Sequence, residues 1–237
     1  MDSARVAAAW AERLQVPAAS FEGSGVLALE RDDLDAVVGV GLGASFVVVA
    51  PAFLIEPLRT LDRPTLADAD ALAGALRRWV PCTPIGAADL WFTDTRPPTR
   101  EGDTRPVTKA DLAELRKSAS VDEWQEAGLD EMHMAWAADA RAHGEGSGCG
   151  DSAVLAAAGY QDWGALAQLG VLAAPAGRGR GFADLVAGRA AREAIDTGRI
   201  AQWRCRAGNA GSARLARRLG FTRLGVQTAV RLGPEGG

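Results

Sequence analysis

The chain has 237 residues, of which 48% are hydrophobic and 24% charged, so it is long enough for two small domains and lacks the composition of a disordered protein. Its formal net charge of −4 gives no long-range attraction to nucleic acid or to an anionic membrane, and we expect neither as a partner. The three cysteines (Cys82, Cys149 and Cys205) and two histidines (His133 and His143) lack the spacing of a disulfide framework or a zinc site, so no metal is expected.

Residues 1–94 are predicted to form a small α/β domain with no phosphate-binding loop of its own. The segment 3–14 has early charges and an amphipathic pattern, which is typical of a helix rather than of a signal peptide. No apolar run is long enough to cross a membrane, so a cytoplasmic location is expected. The other elements predicted here are strands at Val26–Glu30, Ala36–Val40, Phe46–Ala50 and Ala88–Thr93, and a helix at Leu66–Trp79 that Pro81 and Pro84 close.

Residues 95–106 combine proline, glycine and charge, and are predicted to be a linker to a second domain at 107–237. In that domain Thr108 is a favoured N-cap residue, which predicts a helix at Lys109–Ser118. The elements expected next are a helix at Asp122–Gly128, strands at Met132–Asp139 and Ala153–Tyr160 on either side of a glycine-rich turn at His143–Gly150, and a strand ending at Ala174.

A glycine-rich loop at Arg178–Ala183 follows the strand that ends at Ala174 and opens the next predicted helix. A helix N-terminus presents unpaired N–H groups and partial positive charge, and glycine lets the backbone approach an anion closely, so the loop predicts a phosphate or pyrophosphate site. The Rossmann fingerprint requires a third glycine where this chain has Phe182 or Asp184, and the Gly-Lys-Ser/Thr sequence of a P-loop is missing. A nucleotide-binding protein is therefore the less favoured interpretation.

Two motifs together make the interpretation more specific. The loop reads Arg-x-x-Gly-x-Ala over Arg178–Ala183, and a second segment, NAGSARLARRLGF, begins at Asn209. A helix predicted at Phe182–Thr197 and a strand at Arg199–Arg206 lie between them. The two motifs and this order of elements resemble the acyl-CoA-binding part of the GNAT N-acetyltransferase superfamily. The resemblance covers residues 151–232, where the loop corresponds to the pyrophosphate loop and the second segment to the motif Asn-x-x-Ser/Ala-x-x-Leu.

The resemblance implies an α/β (α+β) fold, in which a GNAT-type mixed twisted sheet with flanking helices follows the smaller N-terminal α/β domain. That N-terminal domain is either a degenerate acyltransferase-like lobe or an unrelated cap. The resemblance also implies an acyltransferase that uses acetyl-CoA as co-substrate and no metal. The acetyl group would pass to a primary amine of a small molecule or peptide by direct attack, and a homodimer is compatible with the resemblance. The alternative is a non-catalytic CoA-binding or regulatory module. CoA would lie where two strands splay apart, against Val171, Leu172, Ala173, Arg178, Gly179, Arg180, Gly181, Phe182, Ala183, Asn209 and Ser212.

The catalytic residues are less well defined, because two positions depart from the family pattern. Many members carry a tyrosine that protonates the CoA thiolate, but this chain has Ala216 at that position. The nearest equivalents of a glutamate base on the strand before the loop are Ala167 and Gln168. Tyr160, the only tyrosine of the chain, is therefore the candidate acid, and Glu126 on a short predicted helix is the candidate base.

Each of these residues has a simpler interpretation as well. Tyr160 is as readily a half-buried structural residue, and exposed helix glutamates are commoner than catalytic ones. Glu123, on the same predicted helix as Glu126, is a second candidate base, since burial there would raise its pKa. Asn209 and Ser212 are also suited to capping a helix.

Overall fold

The computed structural model describes residues 1–98, 101–132, 134–139 and 153–233. Over these ranges the chain has a mixed α/β fold with eight α-helices and ten strands. The helices are α1 (Ser3–Leu14), α2 (Ile55–Arg59), α3 (Arg63–Ala67), α4 (Ala69–Leu76), α5 (Lys109–Ser118), α6 (Val121–Ala127), α7 (Phe182–Asp196) and α8 (Ala210–Arg218). The strands are β1 (Gly25–Glu30), β2 (Ala36–Leu42), β3 (Ser45–Ala50), β4 (Cys82–Thr93), β5 (Arg105–Pro106), β6 (Met134–Asp139), β7 (Val154–Trp163), β8 (Leu166–Ala173), β9 (Ile200–Arg206) and β10 (Thr222–Leu232).

Several helices begin where a short polar side chain is available to cap them. Asp2 Oδ1 accepts a hydrogen bond from Arg5 N–H at 3.1 Å at the start of α1. Thr108 and its partner three residues later form a capping box at α5, and Ser120 and Glu123 form another at α6. These caps explain why the predicted bounds of α1 and α5 are confirmed and why α6 begins within one residue of its prediction.

Two predicted elements differ from the structure by more than a few terminal residues. The single helix expected at Leu66–Trp79 is wrong, because α3 and α4 are separate helices on either side of Asp68. Asp68 has an extended backbone, with φ −113° and ψ 121°, and its carboxylate accepts a hydrogen bond from Ala71 N–H at 2.8 Å. The side chain therefore caps α4 and the backbone does not continue α3. The strand expected at Ala88–Thr93 begins earlier, at Cys82.

One compact unit contains Met1 and residues 91–204 and 210–222. Its strands follow the order β9-β8-β7-β6-β5, with β8 and β9 parallel and the other neighbours antiparallel. The sheet is therefore mixed, as the resemblance implies. The predictions that concern His133, Cys149 and the turn at residues 143–150 lie outside the described residues.

Helices cover both faces of these strands. Leu115 of α5 and Trp124 of α6 pack in one buried cluster with Ala137 and Leu172 of the strands. Side chains alternate along a strand, so Trp136, the neighbour of Ala137, points to the other face. On that face α7 packs against β6, β7 and β8. Helices α5 and α6 and helix α7 thus lie on opposite faces.

The other compact unit contains residues 2–90, 205–209 and 223 onward. Its strands follow the order β1-β3-β2-β10-β4, with β1 and β3 parallel and β2 antiparallel to both β3 and β10. Phe46, Leu54, Leu66 and Leu72 are fully buried in its core. The division of the chain into domains at 1–94 and 107–237 with a linker at 95–106 stays a prediction. Among the helices described in both units, none has the length and apolar character to cross a membrane.

Buried Asp111 joins β5 to the start of α5. Its two carboxylate oxygens accept hydrogen bonds from Arg105 at 2.6 and 2.7 Å, and Thr108 N–H and Oγ1 donate to it at 2.7 Å each. These bonds, that of Arg105 foremost, lower the pKa of Asp111 to about 2 from an ordinary 3.8. Because the pKa is depressed in the folded state, the carboxylate stabilises the fold above about pH 4, and this contribution is lost as the pH falls toward 2.

We expect Asp111→Asn to lower the free energy of unfolding at pH 7 by about 1 to 2 kcal/mol, after allowance for the solvent exposure of Arg105. The difference from the wild type should shrink between pH 4 and pH 2, since the wild type loses the same contribution there. Urea unfolding across this range measures both effects, and Glu114→Gln, on an exposed position of the same helix, controls for the removal of a charge. A difference that stays constant with pH would contradict the electrostatic explanation.

Candidate functional site

The strands β8 and β9 part before either of them ends. Their parallel register covers Leu166–Leu169 and Ile200–Trp203, yet β8 continues to Ala173 and β9 to Arg206. Beyond these pairs, and within the described residues, no residue of β8 is in register with a residue of β9. This is the opening that the resemblance implies, and the backbone of Val171–Ala173 borders it.

The loop Arg178–Ala183 follows β8 and leads into α7, a helix of 15 residues. Gly179 and Gly181 have φ values of 73° and 88°, in the left-handed region that other residues rarely adopt. Gly181 is the N-cap of α7 and offers no side chain, so the N–H groups of the first turn have no acceptor within the helix. Together with the helix dipole, this backbone is suited to a phosphate.

Both arginines of the loop are exposed and place positive charge beside the helix N-terminus. Arg178 Nε donates to Ala173 O at 3.3 Å, and its Nη2 donates to Glu123 Oε1 at 2.6 Å. The guanidinium carbon of Arg180 lies 5.1 Å from the centre of the Phe182 ring. The Phe182 side chain is fully buried, so only the backbone of this residue is able to meet a ligand.

A buried carboxylate in the first turn of α7 is neutralised by an arginine of α8. Asp184 accepts hydrogen bonds from Arg218 Nε at 2.7 Å and Nη2 at 3.0 Å, and this bidentate pair raises the pKa of Arg218. The pair removes a net negative charge that would otherwise oppose an anion at the helix N-terminus. Sequence reasoning missed it, because Asp184 lies just beyond the loop motif and Arg218, although within the second segment, is not one of its motif positions. Nothing local to either residue indicates the other.

Part of the second motif belongs to the hydrophobic core. Its buried side chains are Leu215, Ala216, Leu219 and Phe221. Ser212 Oγ accepts a hydrogen bond from Trp203 Nε1 at 2.9 Å, which ties α8 to β9 at the last register pair before the opening. Asn209 is exposed immediately before α8, and its N–H donates to Arg206 O at 3.0 Å. The motif therefore fixes the start of α8 next to the end of β9.

Tyr160 lies on β7 in the row of residues that ends at the opening. It is opposite Leu169, which is opposite Trp203 in the last register pair of β8 and β9. Its side chain is 6% exposed and stacks on Trp136, with 6.3 Å between the ring centres, and Arg189 of α7 lies over Trp136. The phenol is therefore on the face that α7 covers. Its burial fits the structural interpretation, and its role as an acid stays a prediction.

Glu126 is on α6, which packs on the other face of the same strands. A Cβ atom added to Gly170 would lie 1.9 Å from the carbonyl oxygen of Ala127, so α6 rests directly on β8 one residue beyond the last register pair. Glu126 is exposed on this helix. The structure does not bring Glu126 and Tyr160 together, and instead places them on opposite faces near the same point of the sheet.

The raised pKa expected for Glu123 is wrong. Its pKa is lowered, chiefly by the hydrogen bond that its carboxylate accepts from Ser120 N–H and further by the charge of Arg178. A carboxylate stabilised in its charged form is a poor general base at neutral pH. Gln168, near the usual position of the strand glutamate, is also no base, because its neutral amide does not take up a proton at neutral pH. Its Oε1 accepts a hydrogen bond from Gln202 Nε2 at 2.5 Å.

Metal-binding side chains do not cluster in the part of the chain that the structure describes, where no group of three or more is found. Cys82 and Cys205 are separate buried thiols. Burial raises the pKa of the Cys82 thiol, so it stays protonated and a poor nucleophile at neutral pH.

Comparison with known proteins gives the family. The model of the acetyltransferase (GNAT) domain matches residues 54–222, more than half of the chain, whereas no curated protein matches it. Solved structures that match the chain include a Drosophila protein (15% identity, TM-score 0.53, covering 99% of this chain and 89% of that one), a GCN5-related N-acetyltransferase from Kribbella flavida (18%, 0.47, 70% and 64%) and a Salmonella typhimurium protein solved with acetyl-CoA (18%, 0.39, 58% and 97%). At 15% identity the Drosophila structure shows a similar fold and nothing more, and the other two, with TM-scores below 0.5, carry no argument. The family match establishes that the chain belongs to the GNAT acetyltransferases.

Proposed function

We propose that this chain is an acetyl-CoA-dependent N-acetyltransferase that acetylates a primary amine. The family uses acetyl-CoA, and one observation supports the same use here. The part of β8 that continues beyond its register with β9 runs on into the glycine loop at the N-terminus of α7, and β8, the loop and α7 belong to one compact unit. An extended pantetheine chain fits the opening, and a pyrophosphate fits the helix N-terminus that follows it.

The residues proposed to hold CoA fall into two groups. The backbone of Val171, Leu172 and Ala173 would hydrogen-bond to the pantetheine, since these residues border the opening. The pyrophosphate would meet the backbone of the loop and the side chains of its two arginines. The loop contacts proposed are Arg178, Gly179, Arg180, Gly181, Phe182 and Ala183, with Asn209 and Ser212 as further contacts from the start of α8.

The proposed chemistry is direct acyl transfer to the acceptor amine. The amine nitrogen attacks the thioester carbonyl carbon, so that a C–N bond forms and the C–S bond breaks. The nitrogen loses a proton and the departing thiolate gains one. Backbone N–H groups of Val171–Ala173 would stabilise the charge that develops on the carbonyl oxygen, and the fixed proximity of the two reactants would supply much of the acceleration.

Acetyl-CoA is expected to raise the melting temperature, because a ligand that binds only the folded state stabilises it by mass action, by about 2.7 kcal/mol at a hundredfold excess over Kd. NAD and ATP should do less. A thermal scan with each compound at millimolar concentration measures the shifts. If a dinucleotide shifts the transition and acetyl-CoA does not, the assignment of the loop is wrong.

A transfer assay then separates the enzyme from a non-catalytic CoA-binding module. Release of free CoA thiol and formation of the acetylated amine are measured against a panel of small primary amines and peptides. Acetylation of any amine faster than its uncatalysed rate supports the proposal. A chain that binds acetyl-CoA tightly and acetylates none of them would favour the module.

Tyr160 is proposed as the acid that protonates the CoA thiolate, because it lies in the row of residues at which β8 and β9 part. We expect Tyr160→Phe to lower kcat by about ten- to a thousandfold with nearly constant CoA affinity, since general acid catalysis contributes on this scale. Steady-state kinetics and calorimetry measure the two quantities. A loss of stability without a change in kcat would favour a structural role in the stack on Trp136.

Glu126 is proposed as the base. It lies on the face opposite Tyr160, so the amine would be deprotonated on one face of the sheet and the thiolate protonated on the other. We expect Glu126→Gln to lower kcat most strongly below the pKa of the acceptor amine, where the amine arrives protonated, and less at high pH. The pH-rate profile measures this. A profile identical to that of the wild type on a good acceptor would remove Glu126 from the mechanism.

A further inference from the structure

The side chain of Arg178 is held from two elements at once. Its Nη2 donates to Glu123 Oε1 on α6 at 2.6 Å, and its Nε donates to Ala173 O at the end of β8 at 3.3 Å. Among the described residues these two oxygens are its protein acceptors, so Nη1 is left to face other partners. Arg178 is nevertheless exposed, with 49% of its side chain accessible. A long exposed side chain is thus ordered before any ligand binds.

Glu123 is itself a fixed anchor. Its Oε2 accepts a hydrogen bond from Ser120 N–H at 3.0 Å, while Ser120 Oγ accepts one from Glu123 N–H at 3.2 Å. This capping box holds the glutamate at the first turn of α6. One carboxylate oxygen therefore caps the helix and the other is directed at Arg178.

We propose that Glu123 is a positioning residue for the donor, which holds the Arg178 guanidinium beside the glycine loop and thereby increases the affinity for CoA. This proposal rests on the function proposed above, in which Arg178 contacts the pyrophosphate. An arginine that is already ordered does not have to be immobilised on binding, a saving that corresponds to roughly two- to tenfold in affinity.

The negative charge of Glu123 acts in the opposite direction, but more weakly. A phosphate bound to Nη1 would be separated from the carboxylate by the guanidinium itself, whose positive charge lies between them. At physiological ionic strength exposed charges are also screened over about 8 Å. The ordering of Arg178 is therefore expected to outweigh the repulsion.

Four variants and a control test the proposal by calorimetric titration with CoA. Arg178→Ala should weaken binding by about ten- to a hundredfold, through loss of a charge-assisted contact. Glu123→Gln keeps an oxygen for Ser120 N–H and loses the ion pair, and should weaken binding by about three- to tenfold. The double variant should bind no more weakly than Arg178→Ala alone. Glu114→Gln, on α5, removes the same charge elsewhere and should not weaken binding.

Glu123→Asp distinguishes position from charge. The aspartate keeps the negative charge and still suits the first helical turn, but it is one methylene shorter and does not reach Arg178. Positioning predicts a loss of affinity close to that of Glu123→Gln, with unchanged melting temperatures in both variants because the cap is retained. A purely electrostatic role predicts wild-type binding in the aspartate variant and would overturn the proposal.

Two further outcomes would also overturn it. If Glu123→Gln binds CoA as well as the wild type or more tightly, the ion pair does not position Arg178 for the ligand. If the losses of the two single variants add in the double variant, Glu123 acts independently of Arg178. A wild-type chain that binds no CoA at all would instead overturn the proposed function, and with it this proposal.

Discussion

Gly181→Val is expected to lower the affinity for acetyl-CoA by more than about a hundredfold and to leave the protein folded. Gly181 has φ 88° and is the N-cap of α7, so a β-branched residue there would be strained by about 1 to 3 kcal/mol. Its side chain would also stand where a phosphate, bound as proposed, would approach the N–H groups of the first turn. Titration of CoA into the variant measures the affinity, and thermal unfolding measures the strain.

A substitution at a second glycine distinguishes the effect of backbone strain from the loss of the phosphate site. Gly198 lies just beyond the other end of α7, has φ 82°, and has no atom within 4 Å of the place where a Cβ would stand. Gly198→Val should therefore show a similar loss of stability with normal CoA affinity. If both variants bind CoA equally well, the glycine loop is not the anion site. If both bind it equally badly, the loss at Gly181 comes from the strained fold.

Local signals were enough to predict most of the elements and the loop. The N-caps Asp2 and Thr108 act within one helical turn, so α1 and α5 begin where the sequence indicates. The same holds for the loop Arg178–Ala183, because the glycines and the helix that follows are consecutive in the chain. The family pattern added the opening between β8 and β9, which no local signal marks.

Contacts between distant residues were not predictable in this way. The pair of Asp184 and Arg218, and that of Arg178 and Glu123, each join elements whose packing the sequence does not state. The charge and pKa of a carboxylate depend on such partners, which is why the expectation of a raised pKa at Glu123 failed.

Which helix covers each face of the sheet was likewise not predictable from the sequence. Alternation places every second residue of a strand on one face, but which helix covers that face depends on the tertiary fold. Tyr160 and Glu126 were therefore predicted as one acid and one base without any indication that α7 and α6 cover opposite faces. Their separation became visible only from the register of β7 and β8 and from the approach of α6 to Gly170.

Gly170→Ala is expected to destabilise the fold by about 3 kcal/mol, near the upper end of the usual cost of overpacking. The added Cβ would lie 1.9 Å from Ala127 O and 2.7 Å from the Cε atom of Met132. The end of a methionine side chain is able to move aside, but the carbonyl of Ala127 belongs to the backbone of α6. Either α6 must lift from β8 or the strand must bend. Urea unfolding of the variant measures the cost.

Gly188→Ala is the matched control, since it adds the same methyl group to the same unit at a buried position where the neighbouring atoms leave room for it. Gly188 is inside α7, and the nearest atoms to its added Cβ are at 3.4 and 3.5 Å, which is ordinary contact. Alanine is favoured over glycine within a helix by about 0.5 to 1 kcal/mol, so this variant should be neutral or slightly more stable. If Gly170→Ala is equally well tolerated, α6 does not approach β8 as closely as the structure places it.

The affinity of Gly170→Ala for CoA then tests whether the close approach of α6 to β8 contributes to CoA binding. Helix α6 carries Glu123, and lifting it from β8 would draw the carboxylate away from Arg178. In conditions where the variant is still folded, CoA binding should weaken by about three- to tenfold, as expected for Glu123→Gln. Combining the two substitutions should then produce no further loss. If the double variant binds CoA more weakly than either single variant, the contact between Gly170 and Ala127 supports only the fold. Glu123 would then reach Arg178 independently of that contact.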